Sequence, residues 1–256
     1  TTAFPIQEMC LGLALEGRDV IGQAKTGTGK TLGFGIPLIQ RIAAPASEDY
    51  TQLPEAARNK PQGLIVCPTR ELALQVATDI EQAGAGLGIR VLSIYGGRAY
   101  EPQIDALRAG IDVIVGTPGR IIDLAGRGDL DLSHVRELVL DEADEMLDMG
   151  FLPDVEKIVA LVPTNRQTML FSATMPGQII ALARRYMNQP THMRAIDPGD
   201  DNATVDAIEQ HVWRAHPMDK VELLARVLQA KDRGLTMIFT RTKRKAQKIT
   251  DDLTER

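Results

Sequence analysis

The stretch AKTGTGKT at residues 24–31 decides the fold expected for this chain of 256 residues. It follows an apolar run at residues 20–23, which predicts a buried strand, and a helical pattern begins near Lys30. The glycines permit a tight loop whose N–H groups converge on a phosphate at the helix N-terminus. The lysine supplies a cation for the β and γ phosphates, and the last threonine can bind Mg²⁺. The predicted nucleotide-binding residues of this loop are Ala24, Lys25, Thr26, Gly27, Thr28, Gly29, Lys30 and Thr31.

A second motif, the acidic tetrad at residues 141–144, begins 110 residues after Thr31. It follows residues 135–140, VRELVL, whose apolar residues are typical of a central strand of a parallel sheet. Because parallel sheets bind ligands at the carboxyl ends of their strands, Asp141 is expected to face the phosphate loop and hold Mg²⁺. Glu142 can then orient or deprotonate the attacking water. A lone acidic tetrad is often a solvated helix start, but the two motifs in this order favour ATP hydrolysis.

Short apolar runs alternate with helical patterns along the chain. This alternation predicts an α/β fold, a mostly parallel sheet with helices on both faces. The predicted strands are residues 20–23, 64–67, 91–95, 113–115, 138–140 and 169–171. Helices are predicted at residues 71–82 and 178–187, where apolar residues recur at helical spacing. Residues 44–61 are rich in proline, alanine and charge without periodicity, and we interpret them as a mobile surface loop.

A change of composition at residues 197–206, DPGDDNATVD, predicts a linker between two domains. Residues 1–196 are expected to form the ATP-binding domain. Residues 207–256 then begin a second α/β domain, with a helix near 218–230, a strand at 236–240 and a basic helix after it. About 50 residues lie at the low edge of domain size, so we expect this second lobe to be incomplete.

Composition limits the class of protein. Hydrophobic residues make up 44% of the chain, which is enough for one large or two smaller cores. The formal charge of −5 argues against a general basic surface, so any RNA contact is expected to be local. Two cysteines are too few for a disulfide framework and favour a reducing, cytoplasmic setting. No apolar stretch approaches the roughly 20 residues of a membrane span, so no membrane partner is expected, and the oligomeric state stays open.

Six further motifs follow one another along nearly the whole chain. They are Phe4-Pro-Ile-Gln7, Pro68-Thr-Arg-Glu-Leu-Ala73 with Gln75, Gly96-Gly97, Thr117-Pro-Gly-Arg120, Ser172-Ala-Thr174 and Met237-Ile-Phe-Thr240. Together with the phosphate loop and the acidic tetrad, they make the chain resemble the DEAD-box ATP-dependent RNA helicases of helicase superfamily 2. The resemblance implies a RecA-like P-loop NTPase fold, ATP and Mg²⁺ as cofactors, and RNA as partner.

Two of these motifs, at residues 68–70 and 117–120, lie between a predicted strand and a helix. Each presents a hydroxyl, an arginine and N–H groups, a combination suited to phosphate oxygens. The competing interpretation is that the threonines cap helices and the arginines form salt bridges. The glycine pair alone predicts only a turn. The resemblance implies RNA contacts by all three segments, which comprise Pro68, Thr69, Arg70, Gly96, Gly97, Thr117, Pro118, Gly119 and Arg120. Such contacts carry little base information, so no sequence preference is expected.

Gln7 carries an amide that can both donate to and accept from an adenine edge, although a surface glutamine without a ligand is the commoner case. The resemblance implies adenine binding, with Phe4 where the family usually has threonine. Ser172 and Thr174 could hydrogen-bond to the acidic tetrad or cap the next helix. The resemblance makes these two residues, together with Asp144, the elements that couple ATP hydrolysis to strand separation.

The sequence thus predicts an ATP hydrolase and RNA helicase whose two lobes close around ATP and RNA and unwind short duplexes locally. Its catalytic residues are Lys30, Asp141 and Glu142. The alternative is an ATP-gated RNA clamp or ribonucleoprotein assembly factor without processive unwinding, and a DNA-directed translocase is disfavoured. In the resembling family, the second lobe supplies arginine fingers. We therefore expect the 256-residue chain alone to bind nucleotide weakly and hydrolyse it hardly at all.

Overall fold

The computed structural model of the chain describes residues 2–195, 209, 211–216, 218–231 and 234–254. It divides into two compact units, Thr1–Asn202 and Ala203–Arg256. The predicted linker at residues 197–206 lies outside the described residues.

The first unit is built on a seven-stranded sheet in which all neighbouring strands pair in parallel. The strands are β1 Val20–Gln23, β2 Gly63–Val66, β3 Val91–Ile94, β4 Val113–Gly116, β5 Glu137–Leu140, β6 Gln167–Ser172 and β7 Thr191–Arg194. Their order across the sheet is β3-β4-β2-β5-β6-β1-β7. The predicted α/β class with a parallel sheet is therefore confirmed.

Helices connect these strands and cover both faces of the sheet. They are α1 Pro5–Leu15, α2 Lys30–Arg41, α3 Glu48–Gln52, α4 Arg70–Gly84, α5 Glu101–Ala109, α6 Pro118–Gly126, α7 Ala143–Asp148, α8 Leu152–Leu161 and α9 Gly177–Tyr186. Of the helices in the described residues, none combines the length and the apolar character that crossing a lipid bilayer requires.

Alternate side chains of the strands enter two hydrophobic cores, one on each face of the sheet. Leu64 and Val66 belong to the core that includes residues of α6, α8 and α9. Ile65, between them, belongs to the core that includes residues of α1, α2 and α4. Strands buried on both faces need apolar residues at successive positions, and for this reason they are visible in the sequence as short continuous runs.

A glycine in β1 permits close packing beneath the phosphate loop. A Cβ on Gly22 would lie 2.3 Å from the ring of Phe171, so only glycine fits without displacing that ring. Phe171 in turn packs against Phe34 of α2, with 5.2 Å between the ring centroids. This packing fixes β1, and hence the loop that follows it, against the sheet and α2.

Two parts of the first unit depart from the sequence predictions. The edge strand β7 was not predicted, because its sequence THMR alternates half-buried and exposed side chains and contains no apolar run. Residues 44–61, predicted as an irregular loop, include α3 and a 3₁₀ turn at Glu55–Ala57. Arg90 ties this segment to the sheet: its guanidinium donates to the Asn59 Oδ1 at 2.8 Å and to the Tyr50 hydroxyl at 3.1 Å.

The second unit contains the helices α10 Lys220–Leu228 and α11 Lys243–Thr254, close to the two helices predicted there. The strand predicted at residues 236–240 was wrong, because these residues adopt no regular secondary structure. A strand needs a neighbour that accepts and donates its backbone hydrogen bonds, and the described residues of this unit contain no other strand. Apolar side chains of the segment are exposed, notably Met237 and Phe239.

Candidate active site

The predicted functional motifs meet at one edge of the sheet, which we call the carboxyl edge because the strands end there. The phosphate loop follows β1, the acidic tetrad follows β5, and Ser172 ends β6, and these three strands are neighbours in the order β5-β6-β1. The three predicted RNA-binding segments follow β2, β3 and β4, which are neighbours in the order β3-β4-β2. The sheet order therefore places the predicted nucleotide-binding motifs on one half of the carboxyl edge and the predicted RNA-binding segments on the other.

The phosphate loop has the backbone shape that its glycines predict. Gly27 and Gly29 have φ angles of +83° and +76°, a region that L side chains rarely adopt. A Cβ on Gly29 would also lie 2.6 Å from the Gln7 Nε2 and 2.7 Å from the Phe4 ring. Lys30 begins α2 directly after the loop. The N-terminus of an apolar helix thus faces the site, as anion binding requires.

A cavity of about 600 Å³ lies beside the loop. Its lining includes Thr26, Gly27, Gly29, Lys30 and Thr31 of the loop, together with Phe4, Gln7, Asp141 and Glu142. Ala24, Lys25 and Thr28 are not part of that lining. The cavity is large enough for a small-molecule ligand, since such pockets typically measure roughly 300–1,000 Å³.

Helix α4 contributes residues to this cavity that the sequence analysis did not assign to it. These residues are Leu72, Gln75, Asp79, Gln82 and Ala83. The three polar ones, Gln75, Asp79 and Gln82, recur at i, i+4 and i+7 of the helix, which places them on one face. That spacing is visible in the sequence, but only the packing of α4 against α2 shows that the face lines the nucleotide cavity.

Lys30 and Glu142 form a partly buried ion pair across the site. The Lys30 Nζ lies 3.0 Å from the Glu142 Oε1, and the lysine is 6% exposed. The same ammonium donates to the Ala24 carbonyl at 3.1 Å, and the Thr26 hydroxyl donates to the Glu142 Oε1 at 3.1 Å. The cation predicted to bind phosphate and the predicted catalytic carboxylate are therefore paired with each other.

Glu142 has a backbone conformation that is unusual for its residue type. Its φ is +50°, in the left-handed region, at the position just before α7. Such a conformation costs of the order of 1 kcal/mol or more for a side chain other than glycine. The turn directs the carboxylate towards Lys30 and Thr26, which bind it. The strain is thus located at the residue predicted to act as the catalytic carboxylate.

Asp141 is buried at the end of β5, with its Oδ1 accepting the Glu142 N–H at 3.0 Å. Burial raises the pKa of this carboxyl to about 7, although the Lys30 ammonium opposes the rise. The carboxyl and the Thr31 hydroxyl both line the cavity, and they are the hard oxygen donors that Mg²⁺ prefers. A magnesium ion bound with nucleotide phosphates would favour the charged form of Asp141.

Asp144 connects the acidic tetrad to the end of β6. Its Oδ2 accepts the Thr174 N–H at 2.8 Å and the Thr174 hydroxyl at 2.9 Å. Its own N–H donates to the Ser172 hydroxyl oxygen at 3.1 Å. Burial alone would raise the pKa of Asp144, but hydrogen bonding to Ser172 and Thr174 lowers it below its ordinary value. The three predicted coupling residues are therefore in direct contact.

Gln7 is buried against the phosphate loop and uses part of its amide within the protein. Its Nε2 donates to the Gly29 carbonyl at 2.8 Å, and its Oε1 accepts the Phe4 N–H at 3.0 Å. An amide has two donors and two acceptor lone pairs, so one donor and one lone pair remain for the predicted contact with adenine. The hydrogen bond to Gly29 also joins Gln7 to the phosphate loop, a contact that the sequence did not predict.

The segment after β2 shows the capping arrangement that competed with RNA binding. The Thr69 hydroxyl oxygen accepts the Leu72 N–H at 3.2 Å and caps α4. Arg70 is exposed, and its guanidinium pairs with the neighbouring Glu71 at 2.9 Å. Pro68 is buried. Exposed ion pairs of this kind are weak, so Arg70 can exchange Glu71 for a phosphate.

The segments after β3 and β4 differ in how much of their surface is exposed at the carboxyl edge. Cβ atoms added to Gly96 and Gly97 would meet no atom within 4 Å, so both glycines leave open space at the carboxyl edge. Thr117 precedes α6 without capping it through its side chain. Gly119 is exposed, whereas the other two residues of that motif, Pro118 and Arg120, are buried.

The sequence of the chain matches that of known families and proteins over most of its length. Residues 4–182 match the family described as DEAD/DEAH box helicase. The DEAD-box ATP-dependent RNA helicase CshA of Geobacillus kaustophilus is 45% identical over 249 residues, which cover 97% of this chain and 50% of that protein. The ATP-dependent RNA helicase DeaD of Klebsiella pneumoniae is 44% identical over 250 residues, which cover 97% of this chain and 36% of that protein.

A solved structure also resembles this chain. The crystal structure of a DEAD box protein from the hyperthermophile Methanococcus jannaschii is 37% identical, with a TM-score of 0.68, over 98% of this chain and 64% of that one. The chain spans about half, or less, of the length of the curated relatives it matches.

Proposed function

Because the chain belongs to the DEAD/DEAH box helicase family, we propose that it binds ATP with Mg²⁺ and couples hydrolysis to RNA binding and local duplex unwinding. The observation that carries this proposal is the arrangement at the carboxyl edge. Lys30, Thr31, Asp141 and Glu142 line one cavity, and the three predicted RNA-binding segments end the three strands on the other half of the same edge.

The first step on ATP binding is proposed to be the breaking of the ion pair between Lys30 and Glu142. Phosphates entering the loop offer the Lys30 ammonium a more highly charged partner than one carboxylate. The lysine then leaves Glu142, whose carboxylate becomes available to orient and deprotonate water. The Thr26 hydroxyl, 3.1 Å from the Glu142 Oε1, keeps the carboxylate in place during this exchange.

The metal ion belongs to the same step. When bound there, Mg²⁺ would supply positive charge that neutralises the phosphate oxygens. Asp141 and Thr31 are the residues proposed to hold it. Since the carboxylate form of Asp141 is the ligand, binding of the magnesium complex of ATP should strengthen as the pH rises through about 7.

Coupling to RNA is proposed to run through Asp144. Hydrolysis changes the partners of Glu142, which precedes α7, and Asp144 in the first turn of that helix holds Thr174. RNA phosphates would lie along the segments after β2, β3 and β4, where Arg70 and the glycines at 96, 97 and 119 are open. Contacts to phosphate fix the position of the strand without reading its bases.

RNA-stimulated ATP hydrolysis is the experiment that tests this proposal. The full-length protein, incubated with ATP and Mg²⁺, should release phosphate faster with single-stranded RNA than with DNA of the same sequence. Equal rates with RNA, with DNA and without nucleic acid would overturn the RNA-directed assignment. A duplex-unwinding assay distinguishes the helicase from the alternative, an ATP-gated RNA clamp. The clamp would bind RNA in the presence of ATP and hydrolyse the ATP, but it would leave the RNA duplex intact.

The domain assignment and the location are part of the same proposal. Residues 1–196 are proposed as the ATP-binding RecA-like domain and residues 207–256 as the beginning of a second, with the division into two compact units as support. A cytoplasmic location is proposed from cysteine usage: Cys10 and Cys67 are buried free thiols, which a reducing compartment preserves.

A further inference from the structure

Arg120, predicted from the sequence as an RNA contact, is buried in the protein. The residue is 7% exposed, and its Nη2 donates to the Arg98 carbonyl at 3.0 Å. Its Nη1 is also buried and has no hydrogen-bond partner in the part of the chain that the structure describes. A guanidinium in this position has little surface to offer a phosphate.

The contact that compensates for this burial is with Tyr100, at the N-terminus of α5. The Arg120 guanidinium carbon lies 4.1 Å from the centroid of the Tyr100 ring, a distance at which a cation and an aromatic face attract each other. The Arg127 guanidinium carbon lies 4.5 Å from the same centroid. The Tyr100 hydroxyl hydrogen-bonds to the Asp123 carboxylate of α6. The tyrosine that precedes α5 thus contacts three charged side chains, Arg120 and Asp123 of α6 and Arg127 at its C-terminal end.

These contacts join two of the three segments proposed to bind RNA. Arg120 lies in the first turn of α6, in the segment after β4, whereas Arg98 directly follows Gly97 in the segment after β3. Gly97 has a φ of +79°. Glycines have no side chains that could pack against the protein, so the position of the Gly96–Gly97 turn depends on the residues that follow it.

We propose that Tyr100 and Arg120 form a positioning pair that holds the Gly96–Gly97 turn in place for RNA. Arg120 acts through the Arg98 carbonyl and does not itself touch a phosphate. The inference rests on the proposed function, since it concerns how the carboxyl edge receives RNA. It assigns a role to Tyr100, which lies outside every motif quoted from the sequence.

The salt dependence of RNA binding distinguishes positioning from contact. Each phosphate neutralised by a protein cation contributes about 0.7 to the slope of log affinity against log salt concentration for a single strand. A variant that loses a direct contact therefore binds more weakly and with a slope smaller by about that amount. A variant that loses only positioning binds more weakly with the slope unchanged.

The test measures affinity for single-stranded RNA in the full-length protein, with a non-hydrolysable ATP analogue, at several salt concentrations. Tyr100→Leu removes the ring but no charge, and we expect affinity to fall about 2- to 30-fold with an unchanged slope. Arg120→Gln should likewise weaken binding without changing the slope. Tyr100→Phe keeps the ring over which Arg120 lies, so its affinity should stay within about twofold of wild type.

A matched control is available at the opposite edge of the sheet. The Arg185 guanidinium carbon lies 5.1 Å from the centroid of the Tyr186 ring, at the end of α9 and before β7. Tyr186→Leu removes the same kind of pair there and should leave RNA affinity unchanged. Nucleotide affinity should also be unchanged in Tyr100→Leu, because the nucleotide motifs follow other strands, whereas general unfolding would reduce it.

Two results would overturn the inference while the proposed function stands. The first is wild-type RNA affinity in Tyr100→Leu, and the second is a slope reduced by about 0.7 in Arg120→Gln. If the leucine variant does not fold, the slope of Arg120→Gln decides alone. Absence of RNA binding by the wild-type protein would instead refute the proposed function, and the inference with it.

Discussion

At the scale of single residues, Lys30 is the side chain on which we expect nucleotide binding to depend most. Lys30→Ala removes the principal cation for the β and γ phosphates and leaves the half-buried Glu142 carboxylate without its 3.0 Å partner. We expect ATP affinity to fall at least about tenfold, the minimum for a lost charge-assisted hydrogen bond. Titration with a fluorescent ATP analogue measures this, and unchanged affinity would contradict the assignment.

Glu142 is expected to behave differently from the lysine it binds. Glu142→Gln keeps the shape of the side chain but cannot accept the proton of the attacking water, so hydrolysis should fall by about 10²- to 10⁴-fold. Binding of ATP with Mg²⁺ should persist. Comparison of binding and turnover with those of Lys30→Ala provides the control. A glutamine variant that binds ATP as poorly as Lys30→Ala would show that Glu142 has a structural role.

The sequence predicted the positions of the candidate site residues better than it predicted their backbone conformation and burial. The phosphate loop and the acidic tetrad could be located because glycine spacing, a lysine and carboxylates each have a chemical reason to occur there. The left-handed backbone of Glu142 and the burial of Arg120 could not be predicted. Both depend on contacts between segments far apart in the chain, which no local pattern contains.

At the scale of elements, the link between α7 and the end of β6 should transmit hydrolysis to RNA. Thr174→Val removes the hydroxyl that donates to the Asp144 Oδ2 at 2.9 Å and keeps the backbone hydrogen bond at 2.8 Å. We expect unwinding to fall several-fold more than ATP hydrolysis, because one bond of the link is lost, at a cost of about 1 kcal/mol. Measurement of the unwinding rate and the ATP hydrolysis rate on the same variant checks this. An equal fall in the two rates would show that the bond between Thr174 and Asp144 does not couple hydrolysis to unwinding.

Elements were predictable where burial leaves a sign in the sequence. The strands at the centre of the sheet are apolar on both faces and lie within two residues of their predicted bounds. Strand β7 lies at the edge, where one face meets solvent, and its residues Thr191–Arg194 contain no apolar run. The apolar run at residues 236–240 resembles a strand, but a run becomes a strand only where another strand pairs with it.

At the scale of the whole molecule, two buried carboxyl groups make the free energy of unfolding depend on pH. Burial raises the pKa of Glu137 and of Asp141 to about 7 each, above their ordinary values of 4.5 and 3.8. Between about pH 4 and pH 7, each group therefore carries a proton in the folded protein but has lost it in the unfolded chain. This contribution to stability is complete below the ordinary pKa values and is lost as the pH rises through 7.

Glu137→Gln should reduce that dependence without touching the carboxyl edge. Glu137 begins β5 at the opposite edge, where its Oε1 accepts from the Arg41 Nε at 2.9 Å. We expect the loss of stability between pH 5 and pH 7.5 to shrink by about 1–3 kcal/mol, because the amide does not titrate. Urea unfolding at the two pH values measures the difference. An identical pH dependence in both proteins would contradict a raised pKa at this position.

The parallel sheet also determines how the protein can be labelled and immobilised. Every proposed ligand approaches from the carboxyl edge, so the loops at the opposite edge are free to carry a dye or a surface tether. Both natural thiols are buried, and burial raises the pKa of Cys10 to about 11 and that of Cys67 above its ordinary value. Thiolates, not thiols, are the nucleophiles that attack maleimide reagents. A single cysteine introduced at the exposed Thr164, in the loop before β6, would therefore react selectively and leave the working edge unobstructed.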